Sequence, residues 1–286
     1  PVLCAPVGSL EVFEPGGGAT VAAATTNFGN GMILSSVSHP GLEKTAEAAG
    51  DGFRIFQLYV RGDAAWVDDH VRRAIDHGYN AFCLTVDTDL YSRRERDIAK
   101  RHERRRVRTS DARIYQARFN WTDIERIKKS FDIPLILKGI ATPEDAKIAL
   151  DHGVDCVYVS NHGGRQLDQG LGSVAVLPEI VEAVGGRARI LVDGAISRGT
   201  DVVKAIALGA DAVVVGRLYV YGLAAGAPGI VRLFEILEDE IRICLGLLGV
   251  TGFDALDRSS IREAPPVVPP HVHSPFPHLD LPRETY

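Results

Sequence analysis

Short apolar segments recur along the chain, and their number constrains the fold more than any other feature. Each is rich in β-branched residues and is typical of a strand that is buried on both faces. Helical stretches with apolar residues at spacings of three and four lie between them, such as 66–77, 143–152 and 199–208. The eight predicted strands are 2–6, 32–36, 54–60, 81–87, 134–139, 156–161, 190–194 and 212–216.

This alternation of strand and helix predicts an α/β fold, a (β/α)8 TIM barrel. Gly78, Gly153 and Gly209 each stand between a predicted helix and the next predicted strand, where glycine commonly ends a helix. A doubly wound open sheet is the main alternative. Polar residues after nearly every strand favour the closed barrel, whose active sites lie at the C-terminal ends of the strands.

Length and charge limit the classes of protein to consider. A chain of 286 residues with 45% hydrophobic content can bury one sizeable core, so we expect one barrel domain over 1–263 and a tail rich in proline and histidine over 264–286. The net charge of −5 gives no general attraction to nucleic acid or to anionic lipid. No apolar run reaches the roughly 18 residues that span a bilayer, which predicts a soluble, cytoplasmic protein.

The cysteines and the basic segment suggest no additional chemistry. Cys4, Cys83, Cys156 and Cys244 stand singly in apolar segments, which predicts buried, reduced thiols and no metal site. The connection 88–120 is long and rich in arginine. An active-site loop is the favoured interpretation over a nucleic-acid or membrane patch, because no stacking aromatic residues are interleaved with the arginines.

The segment 160–168, with sequence SNHGGRQLD, carries the strongest chemical signal. His162 and Arg165 follow a predicted strand, and this pair suits the removal of a proton beside a carboxylate. Asp87, at the end of another strand, is suited to orient His162, with a loop-capping role as the alternative. Lys138 ends a third strand, where its charge can stabilise an anion; a Schiff-base role is the alternative.

Two neighbouring loops indicate a phosphate site. Asp193 and Gly194 open a turn that leads through Arg198 into a predicted helix, and the eighth strand ends at Gly216 and Arg217. Glycines let backbone amides approach an anion, while a helix start and an arginine add positive potential. The loops after strands seven and eight commonly bind phosphate in such barrels. A phosphate-bearing cofactor is therefore favoured over plain turns.

Taken together, these motifs resemble the FMN-dependent L-2-hydroxy-acid oxidase and dehydrogenase family. The resemblance extends from residue 1 to about residue 260 and implies oxidation of a 2-hydroxy acid to a 2-oxo acid with reduction of FMN. It also implies a homo-oligomer, a tetramer in which the C-terminal tail lies at subunit contacts. The motifs are SNHGGRQLD at 160–168, FQLY at 56–59, LTVD at 84–87, RRE at 93–95, KG at 138–139 and DG at 193–194.

The resemblance also assigns roles to individual residues. The implied catalytic residues are His162 as the base, Asp87 as its partner, Tyr59 as a hydrogen-bond donor to the substrate oxygen, and Lys138 beside the flavin. The implied substrate-binding residues are Tyr59, Arg94, His162 and Arg165, with the two arginines holding the carboxylate. The implied FMN-binding residues are Pro6, Val7, Gly8, Ser35, Gln57, Thr85, Lys138, Ser160, Asp193, Gly194, Arg198, Gly216 and Arg217.

Departures from the family pattern define what to examine in the structure. The family's N-terminal segment, which supplies another active-site tyrosine, has no counterpart in this sequence. Ser197 stands where many members have an arginine, and Val37 stands where glycolate oxidase has a tryptophan. Gly8 replaces a common alanine. An FMN barrel with an isomerase-type reaction, or a flavin-binding protein without turnover, are the alternative functions. The sequence leaves open the substrate's side chain and the electron acceptor.

Overall fold

Eight parallel strands close into a barrel in chain order, as the sequence predicts. The computed structural model describes residues 1–90, 92, 98, 99, 101, 110–167 and 170–264, without the side chains of residues 110–113. All strands except β5 end one or two residues earlier than predicted. The strands are β1 (Val2–Cys4), β2 (Gly31–Ser35), β3 (Arg54–Leu58), β4 (Ala81–Thr85), β5 (Leu135–Ile140), β6 (Cys156–Val159), β7 (Arg189–Val192) and β8 (Ala212–Val215).

Helices surround the barrel, and local capping defines where several of them begin. Asn120 and Asp123 form a reciprocal capping box, and Thr142 caps a helix that starts with Pro143. The α-helices in the described part of the chain are α1 (Gly17–Phe28), α2 (Leu42–Ala49), α3 (Ala64–Asp76), α4 (Ser110–Arg118), α5 (Trp121–Ser130), α6 (Pro143–Asp151), α7 (Ser173–Val184), α8 (Gly199–Ala207), α9 (Arg217–Leu223) and α10 (Gly226–Leu248).

A repeated motif connects helices to strands at the N-terminal rim of the barrel. Gly78, Gly153 and Gly209 all have positive φ and follow a helix, which confirms their predicted position. Two residues after each glycine, an Asn or Asp side chain accepts a hydrogen bond from a main-chain N–H at or beside the start of the preceding strand. We call these three side chains the lower-rim caps. The bonds are Arg54 N to Asn80 Oδ1 (2.9 Å), Leu135 N to Asp155 Oδ2 (2.7 Å) and Ile190 N to Asp211 Oδ2 (2.7 Å).

At the opposite rim, the strand register brings polar side chains to one level. Ser35 pairs with Gln57 across β2 and β3, and Thr85 pairs with Lys138 across β4 and β5. All four side chains are buried. Buried polar groups are costly unless they are hydrogen-bonded, so their concentration at the C-terminal ends of the strands marks this rim as the site.

Other expectations from the sequence are met only in part. Cys4, Cys83 and Cys156 are buried free thiols, but the free Cys244 is partly exposed because it lies at the edge of the packed face of α10. Within the described residues, no helix has both the length and the apolar character needed to cross a membrane. Residues 265–286 lie outside the described part, so the domain boundary at 263 stays a prediction.

The close contact between α9 and α10 generates a prediction about stability. A methyl group on Gly229 would overlap the carbonyl oxygen of Gly222 and lie 2.8 Å from Ala225 Cβ. We expect Gly229→Ala to lower the free energy of unfolding by about 1–3 kcal/mol, because the two helix backbones must separate. Gly246→Ala is the matched control on the same helix, where a methyl meets no atom within 4 Å.

The control should raise the free energy of unfolding by up to about 1 kcal/mol through helix propensity. Urea unfolding of the two variants measures both effects. Equal midpoints for Gly229→Ala and the wild type would show that the two helices do not need this close approach.

Candidate active site

A hydrogen-bonded pair of His162 and Asp87 lies at the centre of the C-terminal rim. His162 Nδ1 is 3.0 Å from Asp87 Oδ1 and 3.1 Å from Asp87 Oδ2. The exposed fractions of the two side chains are 16% and 13%, so both are largely withdrawn from water. The orientation of His162 by Asp87, inferred from the sequence, therefore has direct geometric support.

The charge state of Asp87 determines the tautomer of the histidine. Burial raises the pKa of Asp87, but the hydrogen bond from His162 and the charge of Lys138 outweigh it, and the net pKa is below the usual value. An ionised carboxylate only accepts hydrogen bonds, so His162 Nδ1 carries the proton. In the neutral imidazole, His162 Nε2 is then the acceptor, and it lies 3.4 Å from the hydroxyl of Tyr59. This nitrogen is placed to take a proton.

The backbone at His162 adopts an uncommon conformation. Its φ is +58°, and Gly163 and Gly164 follow with φ of +66° and +70°. Residues other than glycine rarely occupy this region, although histidine is among the more tolerant types. The His162 N–H donates to Ser160 Oγ (3.1 Å), which ties the turn to the end of β6. A strained residue that faces its partner is characteristic of functional sites, where strain of about 1–3 kcal/mol is offset elsewhere.

Gly139 makes the room that Asp87 needs. It has φ of +109° and lies at a register irregularity between β5 and β6. A Cβ at this position would come within 2.6 Å of Asp87 Cβ and 2.8 Å of Asp87 Cγ. Because β5 lies between the strands that carry Asp87 and His162, a side chain at Gly139 would push the carboxylate away from the imidazole.

The buried polar side chains at the strand ends form two hydrogen-bonded pairs. Gln57 Nε2 donates to Thr85 Oγ1 (2.8 Å), and Lys138 Nζ donates to Ser160 Oγ (3.1 Å). Gln57 Oε1 is buried and has no hydrogen-bond partner in the described part of the chain. Such an oxygen indicates a donor supplied by a ligand. A flavin ring provides one at its N3–H, so these side chains fit the isoalloxazine of FMN.

Asp193 provides a second unpartnered oxygen at the same rim. Its Oδ2 accepts a hydrogen bond from the hydroxyl of Tyr158 (2.9 Å), whereas its buried Oδ1 has no partner among the described residues. Gly194 follows with φ of +115°, and a Cβ there would meet Ser173 Oγ at 3.1 Å. The open oxygen and the close glycine turn fit a hydroxylated ligand such as the ribityl chain of FMN.

The two loops predicted to bind phosphate differ in how their arginines are held. Arg198 Nε and Nη2 lie 2.7 and 2.6 Å from Glu240 Oε1 on α10, and Gly199 N donates to Glu240 Oε2 (2.6 Å). Asp201 accepts hydrogen bonds from the N–H groups of Ser197 and Arg198, both at 3.1 Å. The start of α8 is thus occupied by two carboxylates, and Arg198 connects α8 to α10.

Arg217, by contrast, faces the signature loop. Its Nη2 donates to the carbonyl of Gly163 (3.2 Å), and its side chain is exposed at the first residue of α9. Gly216 precedes it with an unusual backbone conformation, φ −101° and ψ −100°. Arg217 is therefore the better placed of the two predicted arginines to meet an anion on this rim.

The loops after β1 and β2 meet at Gly8 and Val37. A methyl on Gly8 would lie 2.7 Å from Val37 Cγ2, and Ser9 N donates to the carbonyl of Val37 (2.9 Å). Pro6 and Val7 lead into this contact directly after β1. The absence of a side chain at Gly8 and the small side chain of Val37 are thus coupled, because a larger residue at either position needs space from the other.

Side chains of the signature loop are anchored to the loop that follows β4. Gln166 Nε2 donates to the carbonyls of Asp87 (2.9 Å) and Leu90 (2.8 Å), and Ser92 Oγ donates to the carbonyl of Arg165 (2.5 Å). Arg165 is half-buried at this junction. Arg94, the other arginine expected to bind the substrate's carboxylate, lies outside the described residues.

Sequence reasoning missed four residues that shape the site: Gly139, Tyr158, Gln166 and Glu240. Gly139 and Gln166 fall inside motifs that were recognised, and their roles depend on a contact with Asp87 that only the folded chain creates. Tyr158 carries a weak signal, since a tyrosine in an otherwise aliphatic strand needs a partner for its hydroxyl. Glu240 is 42 residues from its partner Arg198, and no local pattern connects the two.

Comparison with known proteins agrees with this geometry. A family model described as FMN-dependent dehydrogenase matches residues 1–263. The chain is 36% identical to a peroxisomal (S)-2-hydroxyacid oxidase of Arabidopsis thaliana, over 92% of this chain and 77% of that protein. It is also 36% identical to an L-lactate oxidase of a Nostoc species, over 91% of this chain and 78% of that protein.

Solved structures show the same similarity in three dimensions. A crystal structure of mandelate oxidase with (S)-2-phenylpropionate superposes with a TM-score of 0.81 at 39% sequence identity, over 89% of this chain and 76% of that one. The matching fold, the family model and the sequence identity to relatives all indicate the same family. This chain is an FMN-dependent oxidoreductase and belongs to the FMN-dependent dehydrogenase family.

Proposed function

We propose that this enzyme oxidises an L-2-hydroxy acid to the corresponding 2-oxo acid. The observation that carries the proposal is the hydrogen bond between Asp87 and His162 Nδ1, which directs Nε2 of a half-buried neutral histidine toward Tyr59 as an acceptor. The names of related proteins support the substrate class, because they include a 2-hydroxyacid oxidase, a lactate oxidase and a mandelate oxidase. Bound FMN supplies the acceptor for the two electrons that leave the substrate.

In this proposal His162 Nε2 takes a proton from the substrate. Asp87 stabilises the imidazolium that results, since its lowered pKa keeps it negatively charged. The hydroxyl of Tyr59, 3.4 Å from Nε2, donates a hydrogen bond to the substrate's oxygen. Burial of the pair limits competing contact with water, which strengthens its electrostatic interactions.

Binding of the carboxylate is assigned to Arg165 and Arg94. A guanidinium binds a carboxylate through two parallel hydrogen bonds, so it fixes the substrate's orientation as well as its position. The main-chain carbonyl of Arg165 is held by Ser92, and the neighbouring Gln166 is held by two carbonyls of the loop after β4. This anchoring restricts the Arg165 backbone, which lowers the entropy lost when the substrate binds.

The FMN-binding residues are assigned along the rim. Lys138 would stabilise negative charge on the flavin ring, and Gln57, Thr85, Ser35, Ser160 and residues 6–8 would also hold the ring. Asp193 and Gly194 would hold the ribityl chain, and Gly216 and Arg217 would hold the phosphate. Arg198 was expected to share that phosphate; its ion pair with Glu240 supports a role in fixing the start of α8 instead.

The remaining functional expectations stay predictions. They include the cytoplasmic location, the tetramer, the electron acceptor and the absence of nucleic-acid and membrane partners. An isomerase-type reaction is less well supported than oxidation, because a histidine paired with a buried carboxylate serves proton abstraction beside a bound acid. A roomier or differently shaped pocket for the substrate's side chain, expected from Val37, also stays a prediction.

Removal of the base gives the first test of the reaction. His162→Ala should slow flavin reduction by about 10²–10⁴-fold, because the proton acceptor is lost, while FMN stays bound. Anaerobic stopped-flow bleaching of the holoenzyme with lactate, glycolate and mandelate measures the rate. His77→Ala, an exposed histidine at the opposite rim, is the control. Reduction at the wild-type rate in His162→Ala would contradict the assignment of His162.

Neutralising the partner of His162 gives the second test. Asp87→Asn keeps the side-chain size but removes the charge that stabilises an imidazolium, so we expect the reduction rate to fall by about 10- to 100-fold. The dissociation constant of FMN should not change, because Asp87 is assigned no contact with the flavin. The same stopped-flow assay and a flavin titration provide the two values. An unchanged rate would mean that His162 works without a charged partner.

The roles of Arg198 and Arg217 can be distinguished by comparing the affinities of their variants for FMN and for riboflavin. Arg217→Ala should raise the dissociation constant of FMN about tenfold or more and leave that of riboflavin unchanged, because only FMN carries the phosphate. Arg198→Ala should lower thermal stability through the loss of Glu240's partner and preserve the preference for FMN over riboflavin. Flavin fluorescence titrations of the apoproteins measure both. If Arg198→Ala no longer bound FMN more tightly than riboflavin, the result would support the phosphate-binding role that the sequence predicts for Arg198.

A further inference from the structure

Tyr158 on β6 touches two groups of the site and has no role assigned above. Its side chain is fully buried inside the barrel. Its hydroxyl donates to Asp193 Oδ2 (2.9 Å), and Lys138 Nζ lies 5.3 Å from the centroid of its ring. Lys138 lies in β5 and Asp193 directly follows β7, and these are the strands on either side of β6. Tyr158 therefore lies between a cation and an anion at the same rim.

The hydrogen bond from Tyr158 fixes one half of the Asp193 carboxylate. Asp193 is only 9% exposed, and its Oδ1 has no hydrogen-bond partner in the described part of the chain. Leaving a buried carboxylate oxygen unpaired is costly, so a bound group with a hydroxyl donor would relieve that cost. Because Oδ2 is already engaged, the plane of the carboxylate is set before any ligand arrives.

The phenol of Tyr158 is a permanent donor. Burial, followed by the negative charge of Asp193, raises its pKa well above the usual value, so the hydroxyl keeps its proton. The Tyr158 hydroxyl therefore donates to Asp193 Oδ2 whenever the barrel is folded. The neighbours of Tyr158 in β6, Val157 and Val159, are aliphatic. An aliphatic side chain at position 158 would offer neither the hydrogen-bond donor nor the aromatic face beneath Lys138.

We infer that Tyr158 is a positioning residue that fixes Asp193 so that Oδ1 accepts a hydrogen bond from a ribityl hydroxyl of FMN. The inference rests on the proposed function, since it needs a bound flavin. Tyr158 itself does not touch the flavin in this scheme; it acts through Asp193. Its effect on the reaction is to pre-organise the cofactor site, which reduces the cost of ordering on binding.

The test uses Tyr158→Phe, which removes the hydroxyl and keeps the ring below Lys138. We expect the dissociation constants of both FMN and riboflavin to rise about tenfold, because the ribityl chain is common to both. The rate of flavin reduction at saturating FMN should stay at the wild-type value. Tyr79→Phe is the matched control, since its buried hydroxyl donates to the carbonyl of Leu42 (2.8 Å) at a distance from this rim.

A double-mutant cycle separates positioning from a general effect on stability. Asp193→Ala and the double variant with Tyr158→Phe are titrated with both flavins. If Tyr158 acts through Asp193, its substitution has no further effect on flavin affinity in the Asp193→Ala background. Additive effects of the two substitutions would overturn the inference, as would a loss of affinity in Tyr79→Phe equal to that in Tyr158→Phe.

The remaining outcomes are equally distinct. Unchanged affinity for both flavins in Tyr158→Phe would overturn the positioning role while the proposed function stands. Weaker binding of FMN alone would overturn the ribityl assignment, because the effect would then lie at the phosphate. Wild-type protein that binds neither flavin would overturn the proposed function, and the inference with it.

Discussion

Closure of the eight strands into a barrel is the constraint on which the site depends. Asp87 follows β4 and His162 follows β6, so the two residues are separated along the rim by β5. A barrel curves these ends toward a common axis, and the missing side chain of Gly139 on β5 lets the carboxylate reach the imidazole. An open sheet would present the same side chains in a line. The contact between Asp87 and His162 thus depends on the curvature of the barrel as much as on the sequence.

Inside the described part of the rim, the charged side chains of Lys138 and Asp87 each have a polar or aromatic partner. Lys138 lies beside the hydroxyl of Ser160 and over the ring of Tyr158, while Asp87 is held by His162. Buried charges without such partners would cost several kcal/mol each. Gln57 Oε1 and Asp193 Oδ1 are among the buried polar atoms that lack a hydrogen-bond partner in the described part of the chain, and both lie at the C-terminal rim.

Much of this fold follows from local sequence, whereas parts of the site do not. Strands and helix ends were predictable because apolar periodicity and glycine act over a few residues, and the parallel topology then collects the strand ends on one rim. Arg198 shows the limit. A glycine-flanked arginine before a helix resembles a phosphate ligand. In the fold, however, Arg198 forms an ion pair with Glu240, which lies 42 residues later in the chain on α10. The left-handed turn at His162 likewise depends on contacts made after folding.

The lower-rim caps have a consequence for how the barrel is held together. Asn80, Asp155 and Asp211 each precede one strand and accept a hydrogen bond at the base of the strand before it. The strands from β3 to β8 are therefore joined in consecutive pairs. When the second strand of a pair opens, the first strand loses the side chain that accepts the hydrogen bond from its first N–H groups. The two strands therefore lose their protection from amide hydrogen exchange together. At the base of the barrel these caps join β3 to β4, β5 to β6 and β7 to β8, whereas the residues of the candidate site come from the opposite ends of the strands.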